Sequence, residues 1–446
     1  MSANSATYSA FRGAIADFIH NPFHYRESES MRYFPDGLLI LEQGQIKAVG
    51  DYPTLRSQYP HLHITDYSGK LILPGFIDLH LHCPQTEMIA SYGEQLLEWL
   101  EKYVFPVEKK FQDPDYAQKL SNFFLDELLR NGTTTAVILT TIFPQSVDGL
   151  FTAAKERQMR IIAGQMLMSR NAPDFLVNTP QTAYEQTQTL IQKWHHQDRL
   201  LYAVTPRFAP TSTPEELELA GSFSEYPDLY IHTHLSENIK EIAWIKELFP
   251  QASDYLNVYE QFGLVTERSI FAHGIHLSDS ELQRLSERQS AIAFCPTSNL
   301  FLGSGLFNLN QTQIQSPPIP VGLATDVGAG TSFSLLKTMG DAYKVMQLQG
   351  QALSPFQAFY LSTLGAAKAL HLEDKIGNFE PGKEADFIII NPAPTPLMKL
   401  RNQNQIPPEN LSELADQLFT LMILGDDRTI EATYILGNLW QSLEQP

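Results

Sequence analysis

The stretch LPGFIDLHLHCPQ, from Leu73 to Gln85, decides the fold. Most of it reads as a buried strand, yet His80 and His82 interrupt it just before it ends. Residues two apart in a strand point to the same face. Both imidazoles therefore aim at one spot near the strand's C-terminal end.

Seven more short apolar runs follow in the middle of the chain: TTTAVILTT, RIIAGQML, LYAVTP, LYIHTHLS, SIFAHG, AIAFCP and VGLATD. Helix-length segments such as Tyr116 to Arg130 separate them. Alternation of β and α implies a parallel sheet. Eight such units predict an α/β fold, a (β/α)8 TIM-like barrel, with its chemistry at the C-terminal ends of the strands.

The flanks read differently. GLLILEQGQIKAVG (Gly37 to Gly50) reads as strand, turn, strand, with Gly44 at the turn. Near the other end, IGNFEPGKEADFIIINP has a Pro-Gly turn feeding the run Phe387 to Ile390, and RTIEATYILGNLWQ reads as another short pair. Between them, NPAPTPLMKLRNQNQIPPEN reads as a Pro- and Asn-rich loop.

Composition narrows the classes. The chain has 446 residues, 43% of them hydrophobic, enough for a large core and a smaller module. Net charge is −19 and the 31 basic residues form no dense run. A sequence-independent grip on nucleic acid needs clustered Lys and Arg, so no nucleic-acid partner is expected. The two cysteines, Cys83 and Cys295, argue against a disulfide scaffold and fit a reducing compartment. The N-terminus lacks a basic start and a long apolar core, so no signal peptide is expected. No stretch approaches the roughly 20 apolar residues of a membrane span. A soluble, cytoplasmic protein with no membrane partner is expected.

In a barrel the strand ends converge. The first brings His80 and His82. The fourth leads to Thr205, Pro206, Arg207 and Phe208. The fifth brings His232, Thr233, His234 and Glu237, the sixth His273 and the eighth Asp326. Histidines and an aspartate so placed form a metal-ligand set, and a catalytic zinc keeps one position open for water. Alternatives stand beside this. The alternative for His80 and His82 is a hydrogen-bonded core pair, a weaker reading beside the other strand ends. His232 shares the strand face of His234, so spacing leaves the choice between them open. Glu237 opens a helix-like segment, NIKEIAWIKEL, where a carboxylate favours the helix N-terminus. Cys83 points away from His82 and reads as a small buried residue.

These motifs (PGFIDLHLH, the His of HTHLSEN, the His of FAHG and the Asp of GLATD) resemble the amidohydrolase superfamily. The closing EPGKEADFIII is also similar to its C-terminal strand. The resemblance implies a metal-dependent hydrolase barrel with a small β-sandwich domain formed by both chain ends. Each end alone has too few strands to stand by itself. Residues 1–74 and 379–446 are thus expected to make the sandwich, with the barrel over 75–378. The resemblance assigns one Zn2+ per chain to His80, His82, His234 and Asp326, with His273 beside the nucleophilic water. LYAVTPRF offers Arg207 where binuclear relatives carry a lysine, so the pattern resembles the mononuclear, deaminating members.

Three stretches, HCPQ, LLEWLEKYVFPVEKKF and TPRFAPTS, resemble the guanine-deaminating branch in particular. That branch implies guanine as the small-molecule substrate, and xanthine and ammonia as products. It assigns substrate contacts to Gln85, Arg207 and Phe208, within a site also bounded by His82, His234, Glu237 and Asp326. Arg207 is a fork-like donor suited to the O6 and N7 acceptors, and Phe208 suits the purine face. The alternatives are a structural Arg–carboxylate pair and a core Phe. The implied catalytic residues are Asp326 as proton acceptor, His273 aligning the nucleophile, and Glu237 as proton shuttle. A homodimer is expected by the same resemblance, and Trp99 to Pro106 is the segment expected to close over the base. Two other readings compete: an aminohydrolase of adenosine derivatives, pterins or s-triazines, and a non-catalytic scaffold, which would not need the metal ligands.

Overall fold

In the computed structural model, Phe76–His82 is a strand buried at every residue. It is joined by Thr133–Leu139, Arg160–Gly164, Leu201–Pro206, Tyr230–Leu235, Ser269–His273, Ala291–Phe294 and Val321–Leu323. These eight strands lie side by side in chain order, every pairing parallel. Parallel strands covered on both faces need apolar residues at nearly every position, which is why they are legible as unbroken runs. The sheet closes on itself where Asp326 N donates to His80 O at 2.9 Å. There the Asp78 carboxylate accepts Thr325 N (3.1 Å) and Thr325 Oγ1 (2.5 Å). The structure describes residues 8–93, 96–223, 226–402 and 407–441.

Both chain ends build a second, continuous seven-stranded sheet. Its order is Gln45–Asp51, Met31–Glu42, Tyr8–Phe18, Ile64–Pro74, Phe387–Ile390, Ile430–Ile435 and Asn438–Leu439. The two ends meet where Pro74 pairs with Phe387 and Ile72 with Ile389. Gly44 supplies the hairpin turn at φ +78°, where a side chain would be strained. Gly75 then passes directly into the first barrel strand.

A buried ion network fastens this sheet to the barrel. Arg160, at the start of the third strand, and Arg199, just before the fourth, both bind Glu384. Arg199 also binds Asp386. These acids directly precede the strand Phe387–Ile390.

Two segments differ from the sequence reading. The Pro- and Asn-rich stretch holds a short helix, Pro396–Asn402, and Asn402 Nδ2 donates to Pro392 O at 2.7 Å; residues 403–406 lie outside the described part. A second helix, Leu411–Leu424, follows, capped by Asn410. The segment expected to be a loop over the base, Trp99 to Pro106, is helical. Turns over Leu96–Trp99, Leu100–Val104 (a π turn) and Phe105–Glu108 run end to end. Among the described residues no helix is long and apolar enough to cross a membrane.

Candidate active site

The strand alternation that placed His80 and His82 on one face holds, and the barrel brings the other strand ends to them. His80 Nε2 lies 3.2 Å, and His82 Nε2 3.4 Å, from Asp326 Oδ1. Ligand nitrogens and oxygens about 2.0–2.1 Å from a tetrahedral ion sit roughly 3.3 Å from each other. The spacing therefore fits. His234 completes one group with His80 and His82, its ring 4.7 Å from that of His80 and 5.3 Å from that of His82.

Two of the imidazoles, His234 and His80, are held so that one nitrogen faces the cluster. His234 Nδ1 donates to Arg207 O at 2.7 Å, which leaves Nε2 as the free lone pair. His80 Nδ1 is 2.7 Å from His232 Nε2. This contact decides the question that spacing left open: His232 stands behind His80, and His234 joins the cluster. His80 Nε2 is buried with no hydrogen-bond partner, as a ligand atom would be. Burial pushes all four rings well below their usual pKa, with neighbouring imidazoles adding to it, so they are neutral, the form that ligates metal. Burial raises Asp326 to about 6. The donor set and spacing together show that these residues could hold a metal ion.

His273 lies beside this cluster. Its Nε2 is 3.5 Å from Glu237 Oε2 and 3.8 Å from Asp326 Oδ2, between the two carboxylates. Asn299 Oδ1, 2.8 Å from His273 Nδ1, fixes the ring from behind. His273 and Asp326 both adopt left-handed backbone, φ +71° and +50°. Such strain concentrates at sites whose geometry is over-determined by their surroundings.

Glu237 is not the start of its helix. That helix is Ile239–Leu248, capped by Asn238, and Glu241 is the acid that accepts the backbone N–H groups of Glu237 and Asn238. The Glu237 carboxylate instead turns inward, accepts Ser304 Oγ at 3.1 Å and is 2% exposed. Burial, with the nearby charge of Asp326, pushes it up to about 8. A buried carboxylic acid next to a candidate metal position is the usual makeup of a general acid.

A narrow pocket opens over this group. His82, Gln85, Trp99, Arg207, Phe208 and Glu237 are among the side chains that line it, and Leu96, Leu100 and Leu302 complete its apolar wall. Arg207 is also half of an Arg–carboxylate pair, its Nη1 lying 2.9 Å from both oxygens of Glu108. The structural alternative for Arg207 and its place in the pocket are thus both present. Phe208 is likewise both a member of the apolar cluster around Trp99 and a wall of the pocket.

Glu108, Asn299, Ser304 and Asp78 went unread as site residues, and His232 was read as an alternative to His234 and not as the residue behind His80. Glu108, Asn299, Ser304 and His232 act through partners 26 to 152 residues away, which no local pattern shows. Asp78 had a signal: it shares the strand face of His80, two residues on.

The fold and the site together define a barrel hydrolase with a buried His/Asp cluster able to hold a metal ion, and the chain belongs to the amidohydrolase family, whose model matches residues 71–440. It is 51% identical to the guanine deaminase of Escherichia coli (strain K12) over 98% of this chain and 99% of that one. The solved E. coli guanine deaminase superposes with a TM-score of 0.93 at 50% identity, covering 98% of this chain and 100% of that one. The guanine deaminase of C. acetobutylicum, solved with guanine in its active site, superposes at 0.86 and 29% identity, covering 97% and 100%.

Proposed function

We infer that this chain catalyses the hydrolytic deamination of guanine to xanthine and ammonia, a step of purine catabolism. The observation that carries the reading is a shared pocket: Gln85, Arg207 and Phe208 line the same cavity as Glu237 and the metal cluster. The full-length identity to a guanine deaminase supports it. His80, His82, His234 and Asp326 would hold one zinc ion. Zinc lowers the pKa of water to about 7 and so supplies hydroxide at neutral pH.

The residues of the chain do the rest. Arg207 and Gln85 orient the purine edge and Phe208 covers its face. His273, aimed between Glu237 and Asp326, aligns the nucleophile on C2, and Asp326 takes its proton. Glu237 gives its proton to ring N3 as C2 becomes tetrahedral; it then takes the proton of the new C2 hydroxyl and passes it to the amine, so that the C2–N bond breaks as C2=O forms, and the proton held by Asp326 returns to Glu237. Proton transfer of this kind contributes about 10²–10⁴-fold in rate. Residues 1–74 and 379–446 form one module on a barrel spanning 75–378, which the shared seven-stranded sheet supports. The protein acts in the cytoplasm, as a homodimer.

Ammonia release measured across guanine, adenine, cytosine and ammeline tests the reading. Guanine is expected to be turned over with adenine poor. Preference for another amino-heterocycle would overturn the substrate, and inactivity on all four would overturn the enzyme.

A further inference from the structure

Glu108 is fully buried, yet it does not line the pocket. It lies behind two residues that do. Arg207 Nη1 gives it two contacts of 2.9 Å, and Gln85 Nε2 donates to its Oε1 at 3.5 Å. We propose that Glu108 is a positioning residue that sets the purine-edge specificity of the site by locking Arg207 and Gln85 in complementary orientations. This rests on the guanine reading above.

The chemistry of the carboxylate carries the argument. An ionised carboxylate only accepts hydrogen bonds, so it admits the NH2 end of the Gln85 amide and rejects the oxygen end. Gln85 is thereby held with Oε1 turned away from Glu108, and among the described residues no hydrogen bond reaches Oε1. Gly328 leaves room for the oxygen end of the amide, since a Cβ there would stand 2.0 Å from Gln85 Oε1. Glu108 also engages the Nη1 end of the guanidinium. The Phe105 ring lies 5.7 Å from Cζ, and the remaining N–H edge of Arg207 is left for a ligand. Both side chains line the pocket, so the arginine edge supplies a donor, and the Gln85 amide, its NH2 end taken by Glu108, has only its oxygen left to accept. A 6-oxopurine shows the complement, the O6 acceptor next to the N1–H donor. A purine without the 6-oxo group has an unprotonated N1, which sets acceptor against acceptor.

The test compares guanine with 2-aminopurine, which keeps the amine at C2 but lacks O6 and N1–H. Kinetics are measured on the metal-loaded wild type, Glu108→Gln, Arg207→Met and the double variant. Glu108→Gln is expected to lower kcat/KM for guanine about 10- to 100-fold, the cost of unpairing one or two buried polar groups. Most of that loss is expected in KM. 2-Aminopurine is expected to change less than about 3-fold, and the double variant to be no worse on guanine than Arg207→Met alone, since the two act as one unit. Should Glu108→Gln not yield folded protein, Glu108→Asp, which keeps the charge but withdraws it by one carbon, carries the same comparison with a smaller shift. A guanine to 2-aminopurine ratio equal to that of wild type, or losses that simply multiply with Arg207→Met, would overturn the proposal. A wild type that releases no ammonia from guanine would instead remove the functional reading on which it stands.

Discussion

The two rims of the barrel bury charge in opposite ways. At the N-terminal ends of the third and fourth strands, each of Arg160 and Arg199 meets an acid, and each acid meets an arginine. Burial alone would raise the Glu384 carboxyl, but Arg160 and Arg199 outweigh it and hold it below its usual range. At the C-terminal rim the balance is reversed. Glu237, Asp326 and the histidines are as deeply buried, yet Glu237 and Asp326 are raised and the imidazoles stay neutral. One rim spends its ionisable groups on fastening two modules together. The other pairs Arg207 with Glu108 but leaves Glu237, Asp326 and the imidazoles without a fixed cation, ready to bind an ion or move a proton.

The sharpest way to break the comparison is at the metal cluster. His82→Ala removes one ligand, and turnover is expected to fall below detection together with bound zinc. Full metal content and full activity in that variant would mean that His82 is not a ligand and that the site assignment fails.

Glu237→Gln comes next. It keeps the size and an accepting oxygen for Ser304, but cannot cycle a proton. The rate is expected to drop at least ~10²-fold, while zinc content and guanine affinity hold. Near-normal ammonia release would return Glu237 to a structural role. The structure already gives the helix-start role to Glu241, so no large loss of stability is expected.

The same contrast explains what could be read from sequence. The eight strands are legible because both of their faces are buried and their residues are apolar throughout. The pair His80 and His82 is legible because a strand's period is two. The choice of His234 over His232 was not legible in the spacing, since both lie on one strand face; the motif resemblance made it, and in the structure the His80–His232 contact separates the two. Nor was the Glu108–Arg207 pair, which joins residues 99 positions apart. The helical nature of 96–108 had a readable signal. Leu96, Trp99, Leu100, Val104 and Phe105 are buried at near-helical spacing, but the Pro106 in their midst suggests a loop.

At the opposite rim the expected effects are on stability. Arg199→Met leaves Asp386 and Glu384 buried with less compensation. Breaking a buried pair from one side costs roughly 3–5 kcal/mol. Denaturant unfolding should show that loss, with kcat/KM for guanine unchanged in the folded fraction. An equal fall in kcat/KM would show that the two rims are coupled and the division drawn here is wrong.

The smallest effect is a pH dependence confined to the fastening rim. Glu384 has a folded pKa below its unfolded value of about 4.3. Between those two values the unfolded chain binds more protons, so stability rises with pH there. The Glu384 contribution is thus complete above the unfolded pKa and is lost as pH falls through the folded one. Arg160→Met removes one of the two cations that depress it, so the variant starts with less of this contribution to lose. The difference in Tm between wild type and Arg160→Met should be largest near pH 6 and narrow towards about pH 3.5, where the carboxyl is increasingly protonated in both. A difference that stays constant over that range would mean that Arg160 stabilises by packing its stem and not by its charge. The fastening rim would then owe less to ion pairing than its geometry indicates.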